Sequence, residues 1–114
     1  MNRRYKKLRI EKRNRLFELA YIDPITNLGN YNAYLARTKE KLEINCKKTM
    51  IILDIDKFKT FNKKYGHTKG NELLKKVGEE IKSAIRKTDI VCRLANDVFG
   101  ILLVGEADVK NITD

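Results

Sequence analysis

The chain has few of the residues on which common site chemistries depend. It has one histidine, His67, and two cysteines, Cys46 and Cys92, which form no close pair. That inventory excludes the familiar zinc spacings. Two lone thiols suit a reducing compartment, so a cytoplasmic location is expected. No apolar stretch approaches the roughly 20 residues of a membrane-spanning helix, and the charged amino terminus has no signal-peptide core. No Ser/His/Asp triad, P-loop or dinucleotide glycine fingerprint is present.

What is present is charge, unevenly placed. The 114 residues carry a net charge of +10 and are 42% hydrophobic, enough for one small domain with a modest core. Residues 1–15 hold eight basic side chains against the single acid Glu11, a net of +7, which leaves +3 for the other 99 residues. Such a segment attracts polyanions, but a solvated helix beside a domain junction is the plainer reading. With the rest of the chain nearly balanced, nucleic acid is not the expected partner.

The element order reads helix, helix, strand, helix, helix, strand, strand. Residues 3–20 form a basic helix with sparse apolar contacts at Leu8, Leu16, Leu19 and Ala20. It ends before Asp23-Pro24, because the residue preceding a proline is pushed out of the helical region. A second helix runs through Tyr34-Leu35 toward Leu42, and the apolar run Thr49–Leu53 is a buried strand ending at Asp54. A short helix over Phe58–Tyr65 precedes a loop from Gly66 to Gly70, with Asn71 as N-cap of a helix whose apolar face is Leu74, Val77, Ile81, Ala84 and Ile85. Ile90–Leu94 and Phe99–Val104 are strands joined by a tight turn at Ala95–Val98. A further helix is expected to begin around Gly105–Asp108.

Asp54 and Asp56 end the first strand, where hard cations are commonly held, and Asp97 sits at the tip of the later hairpin. If the strands are neighbours, Asp54 and Asp97 converge. Lys59, Lys63, Lys64 and Lys69 surround this region and could steer a polyphosphate, or form an ordinary exposed lysine face. His67 reads as a loop-structuring hydrogen-bonder rather than a catalyst.

These blocks together resemble the GGDEF domain of diguanylate cyclases. Asp23-Pro24-Ile25-Thr26-Asn27-Leu28-Gly29-Asn30 is similar to that family's D-x-L-T-G-L-x-N motif. Asp54 through Asn62, followed by Tyr65 through Gly70, resembles its D-x-D-x-F-K-x-x-N-D-x-x-G-H-x-x-G-D block. Arg86-Lys87-Thr88-Asp89 matches R-x-x-D, and Arg93-Leu94-Ala95-Asn96-Asp97-Val98-Phe99 occupies the place of the signature R-[LY]-G-G-[DE]-E-F.

The resemblance implies an α/β (α+β) palm-like fold with a mostly antiparallel central sheet flanked by helices, here incomplete at the carboxyl end. It divides the chain into a basic linker helix, residues 1–21, and a partial domain, residues 22–114. It implies condensation of two GTP into cyclic di-GMP by a homodimer with Mg²⁺, and an upstream sensory domain in any larger protein. Asp54, Asp97 and the Ile55 carbonyl take metal-ligand positions; Lys59, Asn62 and Asn71 take GTP positions; Arg86 and Asp89 take the inhibitory cyclic di-GMP site.

The departures point away from turnover. Ala95 and Asn96 replace the signature glycines, whose φ is free to be positive, and Val98 replaces the signature glutamate, so no catalytic residue is assigned. Asn71 stands where the family carries an aspartate, and its amide cannot accept both guanine N–H groups as a carboxylate does. Asn27 replaces a glycine of the opening motif. The expected function is a catalytically impaired domain that binds cyclic di-GMP or GTP. The alternatives are an active cyclase and a structural dimerisation relay.

Overall fold

The computed structural model describes residues 3–105. Within them the helices are α1 (Arg3–Tyr21), α2 (Tyr31–Leu42), α3 (Phe58–Tyr65) and α4 (His67–Ala84), and the strands are β1 (Lys48–Asp54), β2 (Ile90–Ala95) and β3 (Val98–Val104). The strand order is β1-β3-β2, every pair antiparallel. This is the mixed α/β architecture and element order expected. The further helix expected from Gly105 onward lies outside the described residues.

β3 is the central strand, and its alternation sorts the core onto two faces. Phe99, Ile101 and Leu103 pack with Val91, Phe58, Leu74, Ile81 and Leu28. On the opposite face Leu102 joins Ile90, Cys92, Ala33 and Tyr34, which brings α2 onto β2 and β3. Burial pushes the Cys92 thiol up to about 11, so it behaves as a small core residue rather than a nucleophile. The basic helix α1 contacts α2, and its described side chains are exposed as far as Ala20.

One local region differs from the sequence reading. The expected Gly66–Gly70 loop is not a loop: α4 starts at His67, and Asn71 lies inside it rather than capping it. Gly66, at φ +89°, ends α3 and precedes α4 in one residue, a conformation that suits glycine. Gly70 lies inside α4, where its missing side chain leaves room for Asn62: a Cβ there would stand 1.7 Å from Asn62 Oδ1. The His67 side chain is exposed and has no hydrogen-bond partner among the described residues, so it does not structure a loop.

The hairpin tip turns where expected, between Ala95 and Val98. Positive φ at non-glycine residues occurs only at Asn27 and Lys57 among the described residues, so Ala95 and Asn96 close the turn without a left-handed conformation. A register shift between Arg93 and Ala95 supplies the extra turning instead. At Asn27, φ is 60°, a value that asparagine tolerates in place of glycine.

Candidate functional site

The opening motif folds into a turn held by its own side chains. Asp23 Oδ2 accepts from the Thr26 N–H at 2.8 Å and the Thr26 hydroxyl at 2.7 Å. Asp23 Oδ1 pairs with Arg93 Nη1 at 3.0 Å, with the two side chains only 13% and 12% exposed. Arg93 also donates through Nε to the Asn96 carbonyl at 2.9 Å, and its backbone N–H donates to Gly29 O. One arginine thus ties the opening turn to the tip of the β2–β3 hairpin. Asn30 adds the link to α1, since its Nδ2 donates to the Ala20 carbonyl while its Oδ1 caps α2 at Ala33 N–H. The Asp23–Arg93 pair is the part of the site that the sequence reading missed. The D-x-x-T spacing of an Asx-type turn was the available signal, but it names no distant partner.

The pairing of β1 with β3 brings together residues far apart in the chain. Asp54 stands opposite Val98, and the Ile55 N–H donates to the Asp97 carbonyl at 3.2 Å, one step beyond the strand end. The Asp54 carboxyl is raised above its usual range by a hydrogen bond with the Asp97 carboxyl, by the charge of Asp97, and less by desolvation and Asp56. Asp54, exposed, and Asp97, half-buried, therefore converge as expected, two like charges at one corner of the sheet. Neither has an ion-pair partner among the described residues.

Two carboxylates and a nearby backbone carbonyl are hard oxygen donors, the set that Mg²⁺ takes when water and phosphate complete its shell. The mutual repulsion of the pair is what a divalent cation would neutralise, so the residues fit such an ion. Among the described residues no group of three or more acidic, histidine or cysteine side chains could hold one, so protein ligation is sparse.

The expected nucleotide residues lie on α3 and α4. Lys59 is exposed in the first turn of α3, and Asn71 is exposed on α4. Asn62 packs against Gly70, and its Oδ1 is buried without a hydrogen-bond partner among the described residues.

Arg86 and Asp89 lie just before β2 and are bound to each other. Asp89 Oδ2 accepts from Arg86 N–H at 2.9 Å and Nε at 3.2 Å, and Oδ1 accepts from Val104 N–H at 2.8 Å. Arg86 Nη2 donates to the Val104 carbonyl at 2.7 Å. Burial alone would raise the Asp89 pKa, but the Val104 and Arg86 N–H groups and the guanidinium outweigh it and hold the carboxyl below its usual range. Arg86 also faces a groove of about 550 Å³ whose walls include Arg37, Lys41, Lys82 and Lys87.

Similarity to known proteins agrees with this geometry. The model of the family described as diguanylate cyclase, GGDEF domain, matches residues 20–113, and the chain belongs to that family. The diguanylate cyclase DgcS of Shewanella oneidensis is 38% identical over 90 residues, covering 75% of this chain and 30% of that protein. The cyclic di-GMP phosphodiesterase NbdA of Pseudomonas aeruginosa is 38% identical over 92 residues, covering 76% of this chain and 12% of that protein. The chain thus spans under a third of these relatives. Among solved structures, the coiled coil and GGDEF domain of DgcB from Caulobacter crescentus, in complex with cyclic di-GMP, superposes with a TM-score of 0.79 at 26% identity, over 96% of this chain and 59% of that one.

Proposed function

We propose that this chain is a catalytically impaired GGDEF domain of cyclic di-GMP signalling, acting in the cytoplasm as a binding or regulatory module for cyclic di-GMP or GTP. Residues 1–21 serve as its linker helix and residues 22–114 as the domain. The observation that carries the reading is the corner where β1 meets β3. Asp54 and Asp97 converge there, but the residue opposite Asp54 is Val98, which offers no acid to organise a metal or accept a proton. A charged group acting in the transition state commonly accounts for orders of magnitude in rate, so its loss leaves binding more readily than turnover.

In this reading Asp54, Asp97 and the Ile55 carbonyl would hold Mg²⁺, which when bound would screen phosphate charge. Lys59 contacts phosphate, and Asn62 offers a buried acceptor to a base N–H. Arg86, with the cationic groove beside it, takes the phosphates or a guanine edge of cyclic di-GMP. Asp89 supports that arginine, and its carboxylate is already engaged by Arg86 and Val104.

The test is calorimetric titration with cyclic di-GMP, with and without Arg86→Ala, beside a turnover assay with GTP and Mg²⁺ or Mn²⁺. Micromolar or tighter binding that Arg86→Ala removes, without cyclic dinucleotide formation, is the expected result. Formation of the product would replace this reading with an active cyclase. No binding and no turnover from folded protein would leave a relay through α1, whose Leu8, Leu16 and Leu19 are exposed.

A further inference from the structure

The groove beside Arg86 gathers cations from parts of the chain that lie far apart in sequence. Arg37 and Lys41 reach it from α2, Lys82 from the last turn of α4, and Arg86 and Lys87 from the turn before β2. Its walls carry two carboxylates, Glu40 and Asp89, and Asp89 is already engaged by Arg86 and Val104. Among the described residues no carboxylate forms an ion pair with Arg37, Lys41, Lys82 or Lys87. Arg37 differs from the lysines in having a seat. Its guanidinium donates a hydrogen bond to the buried Cys92 sulfur, and Nη1 lies 3.2 Å from where a Cβ on Gly29 would stand. That Cβ would also meet Cys92 Sγ at 2.9 Å and the Ala33 Cβ at 2.8 Å. Gly29 falls at the open position of the D-x-L-T-G-L-x-N motif, and its missing side chain leaves a recess for the guanidinium in the groove wall. An arginine held in this way gives up little rotamer freedom when it binds an anion.

We propose that Arg37 is a second phosphate anchor of this groove, so that Arg37 and Arg86 of one chain each take one phosphodiester of a cyclic dinucleotide. The inference rests on the reading of Arg86 given above and narrows its ligand. A cyclic dinucleotide carries two phosphodiesters held apart by its nucleosides, which suits guanidinium groups supplied by separate elements. The triphosphate of GTP concentrates its charge in one place and has no second phosphate group to offer a distant arginine. Lys41, Lys82 and Lys87 add attraction for either anion without fixing its position. Arg37 therefore acts on selectivity, and the lysines act on affinity for nucleotides in general.

Calorimetric titration of the 114-residue chain with cyclic di-GMP and, separately, with GTP, both without divalent cation, tests this. Arg37→Ala should weaken cyclic di-GMP about tenfold, the loss of a charge-assisted hydrogen bond to phosphate, and should change GTP affinity much less. Arg37→Gln keeps a donor toward Cys92 but not the charge. It should weaken cyclic di-GMP to the same degree, and it decides the matter if Arg37→Ala does not fold. Folded Arg37 variants that bind cyclic di-GMP as the parent does, while Arg86→Ala does not, overturn the second anchor and leave the role of Arg86 standing. No binding of cyclic di-GMP by the folded parent overturns both readings together. An equal loss for GTP and cyclic di-GMP overturns the selectivity, since Arg37 would then meet any nucleotide phosphate.

Discussion

Asp23 and Asp54 begin their motifs in the same way, each a carboxylate at the end of an element, yet they live in opposite surroundings. Asp23 meets Arg93 and the Thr26 hydroxyl and N–H in a nearly closed pocket, and every contact is attractive. Asp54 meets Asp97 at one corner of the sheet, and the dominant contacts are those of two groups that both prefer to be charged. The first arrangement holds the fold together. The second is neutral or unfavourable for the fold and gains a reason only when something positive arrives. Asp23 is matched within the chain, whereas Asp54 and Asp97 are left unmatched, as the cation-holding role proposed for them requires.

That contrast fails if the Asp23 pair proves dispensable. Arg93→Ala leaves Asp23 charged and almost enclosed, and also frees the Asn96 carbonyl. The expected loss is about 3 kcal/mol, as for other buried pairs broken on one side, read from the urea midpoint. Asp23→Ala with Arg93→Ala should cost less than the two single losses added, since no lone charge remains. A smaller effect follows at the helix junction. Gly70→Ala drives a Cβ into the Asn62 amide and should cost about 1–3 kcal/mol by overpacking. Asn62→Ala in the same chain should recover part of it, and additive losses would show that the contact is not the cause.

The elements of this contrast were unequally legible in the sequence. Strands and helices followed from apolar periodicity, which is a local property, and their order alone made β1 and β3 candidates for pairing. The convergence of Asp54 with Asp97 depended on that pairing and was stated only conditionally. Asp23–Arg93 was invisible because 70 residues separate the partners and nothing local to either names the other. The start of α4 was misplaced for a different reason. Gly66, Gly70 and Asn71 are all loop formers by propensity, and only the close approach of Asn62 explains why a glycine inside the helix is favourable. Ala95 and Asn96 stand where the family has glycines free to take positive φ, but a register shift in β2 removes the need for it.

The Arg86–Asp89 clamp lies between the two extremes, since its carboxylate is 2% exposed and its guanidinium 50% exposed. Asp89→Asn keeps the shape but loses acceptor capacity toward Arg86 and Val104, with an expected cost of about 1–2 kcal/mol at pH 7. The pH dependence has a definite sign. The folded-state pKa of Asp89 is lowered, so its stabilisation is present above the unfolded-state value of about 3.9 and is lost as pH falls through the folded value. Denaturation curves of the parent and Asp89→Asn should therefore converge in acid and separate toward neutrality. Parallel curves across that range would remove Asp89 from the set of matched carboxylates.

The smallest effect has the opposite sign. The folded-state pKa of Asp54 is raised, so its contribution favours the fold below the unfolded-state value and is lost as pH rises through the folded one. At pH 7 the ionised pair opposes folding, and Asp97→Asn should slightly raise the melting temperature in chelator. Millimolar Mg²⁺ should then stabilise the parent, because it binds the folded corner and not the separated carboxylates. The variant, with one carboxylate left, should respond less. Equal Mg²⁺ responses would mean that the ion acts elsewhere, and a variant less stable than the parent in chelator would mean that the Asp54–Asp97 contact is attractive. Either result would erase the distinction between matched and unmatched acids at its weakest point, because this corner alone among the three leaves both of its carboxylates without a basic partner among the described residues.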